Sequence, residues 1–175
     1  MGDVRLAGML DAAFARSPVA HGQIVSIDIP EQFRDAVFTA KNLTGLKTIR
    51  ANSKLKGFKS SEQPPLASNK VRLVGELLAV CVADSRALAE DVVDEVVANI
   101  DELEPVVDML SARDPDTPLV HEEWGDNVFL ETNVDTGVSD AFLSAPVKVS
   151  RRLRMSRQCM APLEGRGVVA EWNHR

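Results

Sequence analysis

The alternation of hydrophobic and polar residues in the first 30 positions predicts two elements. Residues 6–17 ("LAGMLDAAFARS") show no lasting alternation and fit either a buried strand or a short helix. Residues 23–30 ("QIVSIDIP") alternate, which predicts a half-buried strand that ends at Pro30. One face of that strand carries Ile24, Ser26 and Asp28, and the other carries Val25, Ile27 and Ile29.

The next segment changes to a helical period. In residues 31–45 ("EQFRDAVFTAKNLTG"), the hydrophobic positions Phe33, Val37 and Ala40 keep helical spacing, Glu31 lies in the first turn and Gly45 offers a stop. This pattern predicts a helix, with Thr39 as the place where it can break. Residues 46–70 contain five lysines, one arginine and several Gly and Pro residues, which predict a short strand followed by an exposed loop. Because a charge run usually faces water, a solvated loop is favoured over a phosphate or nucleic-acid site.

A strand followed by a helix is predicted in residues 77–96. Leu77–Ala83 is apolar without alternation, which is typical of a strand buried on both faces. Asp84 or Ser85 can cap the helix that follows by accepting hydrogen bonds from its free N–H groups. Along that helix one predicted core stripe contains Leu88, Val92 and Val96, with Ala89 and Val93 beside it. The remaining polar positions form a solvated acidic face: Glu90, Asp91, Asp94 and Glu95.

The last third of the chain is more polar and then alternates again. Residues 111–127 ("SARDPDTPLVHEEWGDN") predict a linker. A short helix capped by Ser139 follows. Residues 147–155 ("VKVSRRLRM") alternate and predict a strand, and Val168 to Trp172 predict its partner.

Composition restricts the class of protein. A chain of 175 residues that is 45% hydrophobic suits one compact domain, or one domain with an attached piece. A net charge of −6 argues against a nucleic-acid or anionic-membrane surface. No apolar run approaches the roughly 20 residues of a membrane span, and no secretory signal is evident. The two cysteines, Cys81 and Cys159, are far apart, so a reducing, cytoplasmic location is expected, with Cys81 as a buried and inert thiol.

Motifs that resemble catalytic or binding sites fail on their context. Gly165–Ala170 ("GRGVVA") matches a dinucleotide fingerprint, but the sequence after it predicts a strand and not the required helix. His121 in "HEEWG" lacks the second histidine of a zinc-protease helix, and His21 and His174 are distant from it. No nucleophile elbow is present. The sequence therefore predicts no catalytic, cofactor-binding or metal-binding residue within this chain.

Three ordered segments resemble one known family. "RLAGMLDAAFARSPVAHGQIVSID", "VRLVGELLAVCVADSRALAEDVVDEV" and "RQCMAPLEGRGVVAEW" resemble the N-terminal part of the large, molybdopterin-binding subunit of the xanthine dehydrogenase, aldehyde oxidase and carbon monoxide dehydrogenase family. The resemblance implies an α+β fold. It places an α/β-hammerhead domain at residues 1–110, a linker with a short helix at 111–145, and the first strands of a molybdenum-cofactor domain at 146–175.

The resemblance also implies a function for the parent enzyme. Members oxidise or hydroxylate small carbonyl, heteroaromatic or one-carbon substrates with molybdopterin, and they pass electrons to iron–sulfur and flavin partners. The family's cofactor loops and catalytic glutamate lie outside these 175 residues, so the chain by itself is expected to be inactive, structural and without cofactor. A stand-alone binding or regulatory domain is the alternative. The apolar face of residues 146–175 predicts contact with the rest of the subunit, or self-association.

Overall fold

The computed structural model describes residues 4–134, 136–156, 158–159 and 161–173. The chain divides into two compact units. The larger consists of Gly8–Glu131, and the smaller combines Met1–Ala7 with Thr132–Arg175.

A three-stranded antiparallel sheet forms one half of the larger unit. Its strands are β1 (Asp11–Arg16), β3 (Val37–Thr39) and β7 (Leu77–Ala83), in the order β1–β7–β3. The first segment is therefore a strand, which resolves the two alternatives predicted for it. Because β7 is central, its residues Ala79, Val80 and Cys81 are paired with a strand on both sides, as a buried apolar strand requires.

A second three-stranded antiparallel sheet has the order β6–β2–β8. It consists of β2 (Gly22–Asp28), β6 (Lys70–Val71) and β8 (Val97–Glu102). A Cβ atom on Gly22 would lie 2.5 Å from the Cγ2 atom of Ile100, so the close approach of β2 and β8 requires glycine at this position. A two-stranded ribbon of β4 (Ile49–Arg50) and β5 (Glu62–Gln63) completes the strands.

Strand β7 supplies side chains to two hydrophobic cores. Ala79 and Cys81 pack with Ala15, Val37 and Val92 in the first core. Leu78, which points to the opposite side, packs with Ala67 and Val71 in the second core. The prediction that both faces of Leu77–Ala83 are buried is confirmed around residues 78–81, although Val80 itself is only half-buried.

Helix α1 (Arg86–Asp94) packs on β1 and β7. It begins where predicted, because the Ser85 side chain accepts a hydrogen bond from the backbone N–H of Leu88 at 3.3 Å. Ala89 and Val92 are buried, whereas the Leu88 side chain is 51% exposed. The predicted core position of Leu88 was therefore wrong, since the buried stripe is centred on Ala89 and Val92.

The helix predicted for residues 31–45 is wrong. In its place are a 3-10 turn at Glu31–Phe33, strand β3 and a second 3-10 turn at Ala40–Asn42. Val37, which is 2% exposed, lies opposite Cys81 in the sheet. The β-branched and aromatic run Val37–Thr39 favours a strand, and pairing with β7 outweighs the local helical spacing.

The alternation predicted along β2 is interrupted. The register of β2 against β8 shifts between Ile24 and Ser26, which is a β-bulge. Ile24 and Ile27 consequently pack against the same core, while Val25 is 63% exposed. The assignment of Ile24 and Ile27 to opposite faces was therefore wrong, because a bulge changes the side-chain face that a strict alternation would give.

The smaller unit contains helix α2 (Ser139–Ser144). Ser139 is its first helical residue, and the N-cap is Val138 without a side-chain hydrogen bond, so the predicted cap was wrong. The strands predicted at Val147–Met155 and Val168–Trp172 are not strands in the structure. Alternation alone does not form a ladder, because each strand also needs a neighbour for its backbone groups. Within the described ranges, no helix has the length and apolar character needed to cross a membrane.

Candidate functional site: a polar clasp on the larger unit

Residues 119–129, here called the clasp segment, return to the larger unit and are held there by basic side chains. They belong to the region predicted as a linker, but they lie within the compact unit Gly8–Glu131. Two of the holding residues, Lys59 and Lys70, come from the basic region predicted as a short strand and an exposed loop. The third, Arg72, comes directly after strand β6. The assignment of residues 146–175 to a cofactor domain stays a prediction.

Lys70 is the buried anchor of the clasp. Its side chain is 4% exposed, yet its ammonium group forms an ion pair with the Glu122 carboxylate and donates to the Leu119 carbonyl at 3.4 Å. Beside it, the Nε–H group of Arg72 donates to the Val120 carbonyl at 3.0 Å. A buried ammonium needs such partners, because an unpaired buried charge is costly. The contacts account for a lysine in an otherwise apolar neighbourhood.

Lys59 holds the other end of the clasp segment. Its ammonium group donates to Asp126 at 2.6 Å and to the Trp124 carbonyl at 3.1 Å. Its backbone N–H donates to the Phe129 carbonyl at 2.7 Å, and the Phe58 ring packs edge-to-face on Phe129 with centroids 6.2 Å apart. The prediction of a purely solvated loop is thus corrected at Lys59, because this residue is committed to a tertiary contact.

Asn127 links the clasp segment to the residues that precede it. The Asn127 amide donates to the carbonyls of Ala112 at 3.2 Å and Pro118 at 2.9 Å, and its Oδ1 atom accepts from the Val120 N–H at 2.9 Å. One side chain therefore satisfies three backbone groups in a region without regular ladders. These bonds explain how a segment whose regular structure is one short 3-10 turn, Glu122–Trp124, has a defined path.

The ion pairs shift the acidity of the clasp carboxylates. The hydrogen bond from Lys70 lowers the pKa of Glu122, and the backbone N–H of Glu122 itself adds to the effect. The hydrogen bond from Lys59 lowers the pKa of Asp126, with a further contribution from the Val128 N–H. Both carboxylates are therefore held in the charged form. This suits a role in ion pairing, whereas a general acid would need a protonated carboxyl group.

His121 lies within the clasp segment, and it belongs to no cluster of metal-binding side chains in the described part of the chain. Its ring stacks on Trp124 with centroids 4.2 Å apart and an interplanar angle of 22°. Its Nδ1 atom lies 3.2 Å from the Glu123 carboxylate. The backbone N–H of Glu123 and then this His121 contact lower the pKa of Glu123. The arrangement orients the imidazole by stacking, and it positions no nucleophile.

His21 occupies a separate buried position at the start of β2. The residue is 4% exposed, and its Nδ1 atom lies 2.7 Å from the Glu104 carbonyl. Because a carbonyl only accepts, Nδ1 must carry the proton of this hydrogen bond. The Nε2 atom is buried and has no hydrogen-bond partner among the described residues. The His21 carbonyl also accepts from the Leu103 N–H at 2.8 Å, so His21 fixes the path of the chain after β8.

The two cysteines differ in their environments. Cys81 is buried in the first core, and burial raises the pKa of its thiol, which disfavours the reactive thiolate. The prediction of a buried Cys81 is confirmed. Cys159 is exposed. His174 lies outside the described residues. Gly165–Ala170 is exposed and lies in neither a helix nor a strand.

The described residues do not fit a molybdopterin cofactor. No group of three or more His, Cys, Asp or Glu side chains within them is placed to hold a metal ion. A pterin phosphate requires several hydrogen-bond donors, whereas the described residues contain a single buried side-chain nitrogen or oxygen without a partner, Nε2 of His21. We therefore derive no reaction step through the cofactor from these residues.

Comparison with known proteins decides the family. Residues 1–104 match the aldehyde oxidase and xanthine dehydrogenase a/b hammerhead domain. The chain belongs to this family. The fold class inferred from the sequence, α+β with a hammerhead domain, is thereby confirmed.

Solved and curated relatives extend the match beyond the hammerhead. The chain is 34% identical to the nicotine 6-hydroxylase large subunit of Paenarthrobacter nicotinovorans over 98% of its own length and 22% of that protein. Quinoline 2-oxidoreductase from Pseudomonas putida 86 superposes with a TM-score of 0.74 and 33% identity over 83% of this chain and 19% of that one. The Cu,Mo-CO dehydrogenase superposes with a TM-score of 0.63 and 27% identity. This match covers 82% of this chain and 20% of that one. These 175 residues thus span about a fifth of the length of these relatives.

Proposed function

We propose that these 175 residues are the N-terminal, structural part of the large subunit of a molybdopterin-dependent oxidoreductase. The proposal rests on one observation above all. The match to quinoline 2-oxidoreductase covers 83% of this chain at 33% identity, well beyond residues 1–104 of the hammerhead. A hammerhead fold reused in an unrelated protein would not need to share the sequence that follows it.

The proposed activity of the whole enzyme is the oxidation or hydroxylation of a small carbonyl, heteroaromatic or one-carbon substrate. Relatives named for nicotine, quinoline and carbon monoxide span the last two of these classes. In this proposal the molybdopterin is held by other parts of the subunit, and iron–sulfur and flavin subunits accept the electrons. A cytoplasmic location is proposed for the same enzyme.

The proposed role of the larger unit is to hold the polypeptide on a fixed path toward the cofactor domain. Two independent contacts support this role. His21 binds the backbone at Leu103 and Glu104, directly after β8. Lys59 and Lys70 then hold the clasp segment. The segment from β8 to Glu131 is therefore fixed to the larger unit by side-chain contacts.

The proposal is tested by tagging the N-terminus of the protein in its source organism and purifying it under native conditions. We expect a polypeptide several times heavier than 19.1 kDa, with molybdenum and iron in stoichiometric amounts. A 19.1 kDa polypeptide without either metal would contradict the proposal. As a matched control, the purified 175-residue chain is expected to bind no molybdenum, iron or flavin and to oxidise no aldehyde, purine or carbon monoxide.

A stand-alone binding or regulatory domain is the second candidate. It is favoured by the clasp segment, because Lys70 and Arg72 bind that segment within the compact unit Gly8–Glu131. The native purification distinguishes the two candidates directly. A 19.1 kDa species that co-purifies with a partner protein supports the second candidate and excludes the first.

A further inference from the structure

Two regions of the larger unit carry strongly opposite charge. Residues 41–59 contain six Lys and Arg side chains and no Asp or Glu. Residues 84–104 contain eight Asp and Glu side chains and a single basic residue, Arg86. The described ion pairs join neither region to the other. The chain therefore carries a basic region and an acidic region that could bind each other but form no described ion pair within one chain.

The basic region is more than a solvated charge run. Arg50 pairs with Glu62, and Lys59 pairs with Asp126. The other four cations form no ion pair with a described residue: Lys41, Lys47, Lys54 and Lys56. Three aliphatic side chains between them are more than half exposed: Leu46 at 60%, Ile49 at 63% and Leu55 at 54%. Exposed aliphatic groups ringed by charge are typical of an interaction surface.

The acidic region has the complementary composition on helix α1. Leu88 is 51% exposed, and Asp91 and Glu95 follow it at the i+3 and i+7 positions, so the three share one ridge. Arg86 pairs with Glu90 at 2.8 Å, whereas Asp91 and Glu95 on the Leu88 ridge form no ion pair with a described residue. The acidic ridge therefore has an exposed aliphatic side chain flanked by carboxylates, and the basic region has exposed aliphatic side chains flanked by lysines. The two surfaces are complementary in charge and alike in apolar character.

We propose that residues 46–56 of one chain dock on the ridge formed by Leu88, Asp91 and Glu95 of a second copy. This interaction surface is independent of the proposed function. A two-fold arrangement makes the contact twice, since each chain contributes one basic and one acidic surface. Complementary charge fixes the orientation, and the paired aliphatic groups supply apolar area that is removed from water.

The net charge of the chain gives this contact a characteristic salt dependence. Each copy carries −6, so the copies repel each other at long range. The Debye length is about 10 Å at 0.1 M ionic strength, which screens that repulsion more than it screens charges in direct contact. Association is therefore expected to be strongest near physiological ionic strength and to weaken at about 1 M salt. Association through apolar contacts alone would strengthen or stay constant with added salt.

The test uses charge reversal on each side of the contact in the full chain. Sedimentation of the wild type from about 10 μM to 1 mM, a range that covers weak specific complexes, is expected to show a species of twice the 19.1 kDa chain mass. Lys54→Glu combined with Lys56→Glu, and separately Asp91→Lys combined with Glu95→Lys, should each weaken association at least tenfold. Mixing the two reversed chains should restore a heterodimer, because the surfaces match again. Circular dichroism confirms that each variant is folded.

The matched control reverses two charges outside both surfaces. Arg151→Glu combined with Arg152→Glu changes the net charge as much as the lysine variant and lies in residues 146–175, the segment from which the sequence predicts self-association. It is expected to leave the dimer intact. Loss of the dimer in this control, a monomeric wild type at every salt concentration, or failure of the mixture to associate would each overturn the proposed contact.

Discussion

Lys70 and Glu122, which are 52 residues apart in sequence, form an ion pair in which one partner is buried and the other is not. The Lys70 side chain is 4% exposed, whereas Glu122 is 59% exposed. The pair therefore does not behave as a symmetric surface salt bridge. The loss of unfolding free energy after a substitution therefore depends on whether the buried ammonium or the exposed carboxylate loses its partner.

The asymmetry predicts unequal effects of two neutralising substitutions. Glu122→Gln leaves a buried ammonium without its counter-charge and is expected to lower the free energy of unfolding by about 1–3 kcal/mol. Lys70→Met leaves only an exposed carboxylate, which water solvates, and is expected to cost less than about 1 kcal/mol. Urea unfolding of both variants and the double variant measures the difference. Equal losses would show that Lys70 is more solvated than the structure indicates.

The clasp carboxylates predict a loss of stability in acid. The pKa of Glu122 and that of Asp126 lie below their ordinary values of 4.5 and 3.8 in the folded chain. A lowered folded pKa contributes stability above the unfolded value, and this contribution is lost as the pH falls through the folded value. We expect urea midpoints that are flat from pH 7 to about 5 and fall below pH 4.5.

The control for the acid effect is Glu122→Gln combined with Asp126→Asn. This variant is expected to start from a lower midpoint and to lose less of it between pH 5 and pH 3. A variant whose midpoint falls as steeply as that of the wild type would assign the acid sensitivity to other carboxylates.

His21 predicts a distinction between two amide substitutes. The side-chain nitrogen of Asn can occupy the position of Nδ1, whereas that of Gln reaches the position of Nε2. Since Nδ1 donates to the Glu104 carbonyl, His21→Asn is expected to retain about 1 kcal/mol of the stability lost in His21→Ala, and His21→Gln is expected to retain less. Thermal unfolding of the three variants tests the order. A better result for Gln would place the important hydrogen bond on Nε2.

Local patterns in the sequence predicted the elements whose causes are local. The cap of α1 was narrowed to Asp84 or Ser85, and Ser85 is the cap in the structure, because the cap's partner, the Leu88 N–H, is only three residues away. Val37 was placed in a helix, since its strand depends on pairing with the distant Cys81. The contacts of Lys59 with the clasp segment could not be predicted either, because they join residues 65 and 67 positions apart. Surplus cations at residues 47–70 and surplus acids at 122–126 were the signal available, but charge alone does not specify partners.

The interior of β7 predicts a graded response to a buried carboxylate. Cys81 is fully buried between Ala13 and Val37 in the sheet, so Cys81→Asp is expected to cost several kcal/mol in unfolding free energy. Val80 is only half-buried, so Val80→Asp is expected to cost clearly less, because water can reach the new carboxylate.

The reference for this series is Glu90→Gln on the exposed face of α1. That substitution removes the i,i+4 ion pair with Arg86 and is expected to change stability by no more than about 0.5 kcal/mol. Urea unfolding should therefore rank the three variants as Cys81→Asp, Val80→Asp and Glu90→Gln, from most to least destabilised. A larger loss for Val80→Asp than for Cys81→Asp would mean that a further surface covers the Val80 side of the sheet. The exposed neighbours of Val80 on that side, Phe14 and Phe38, would then be the residues that it contacts.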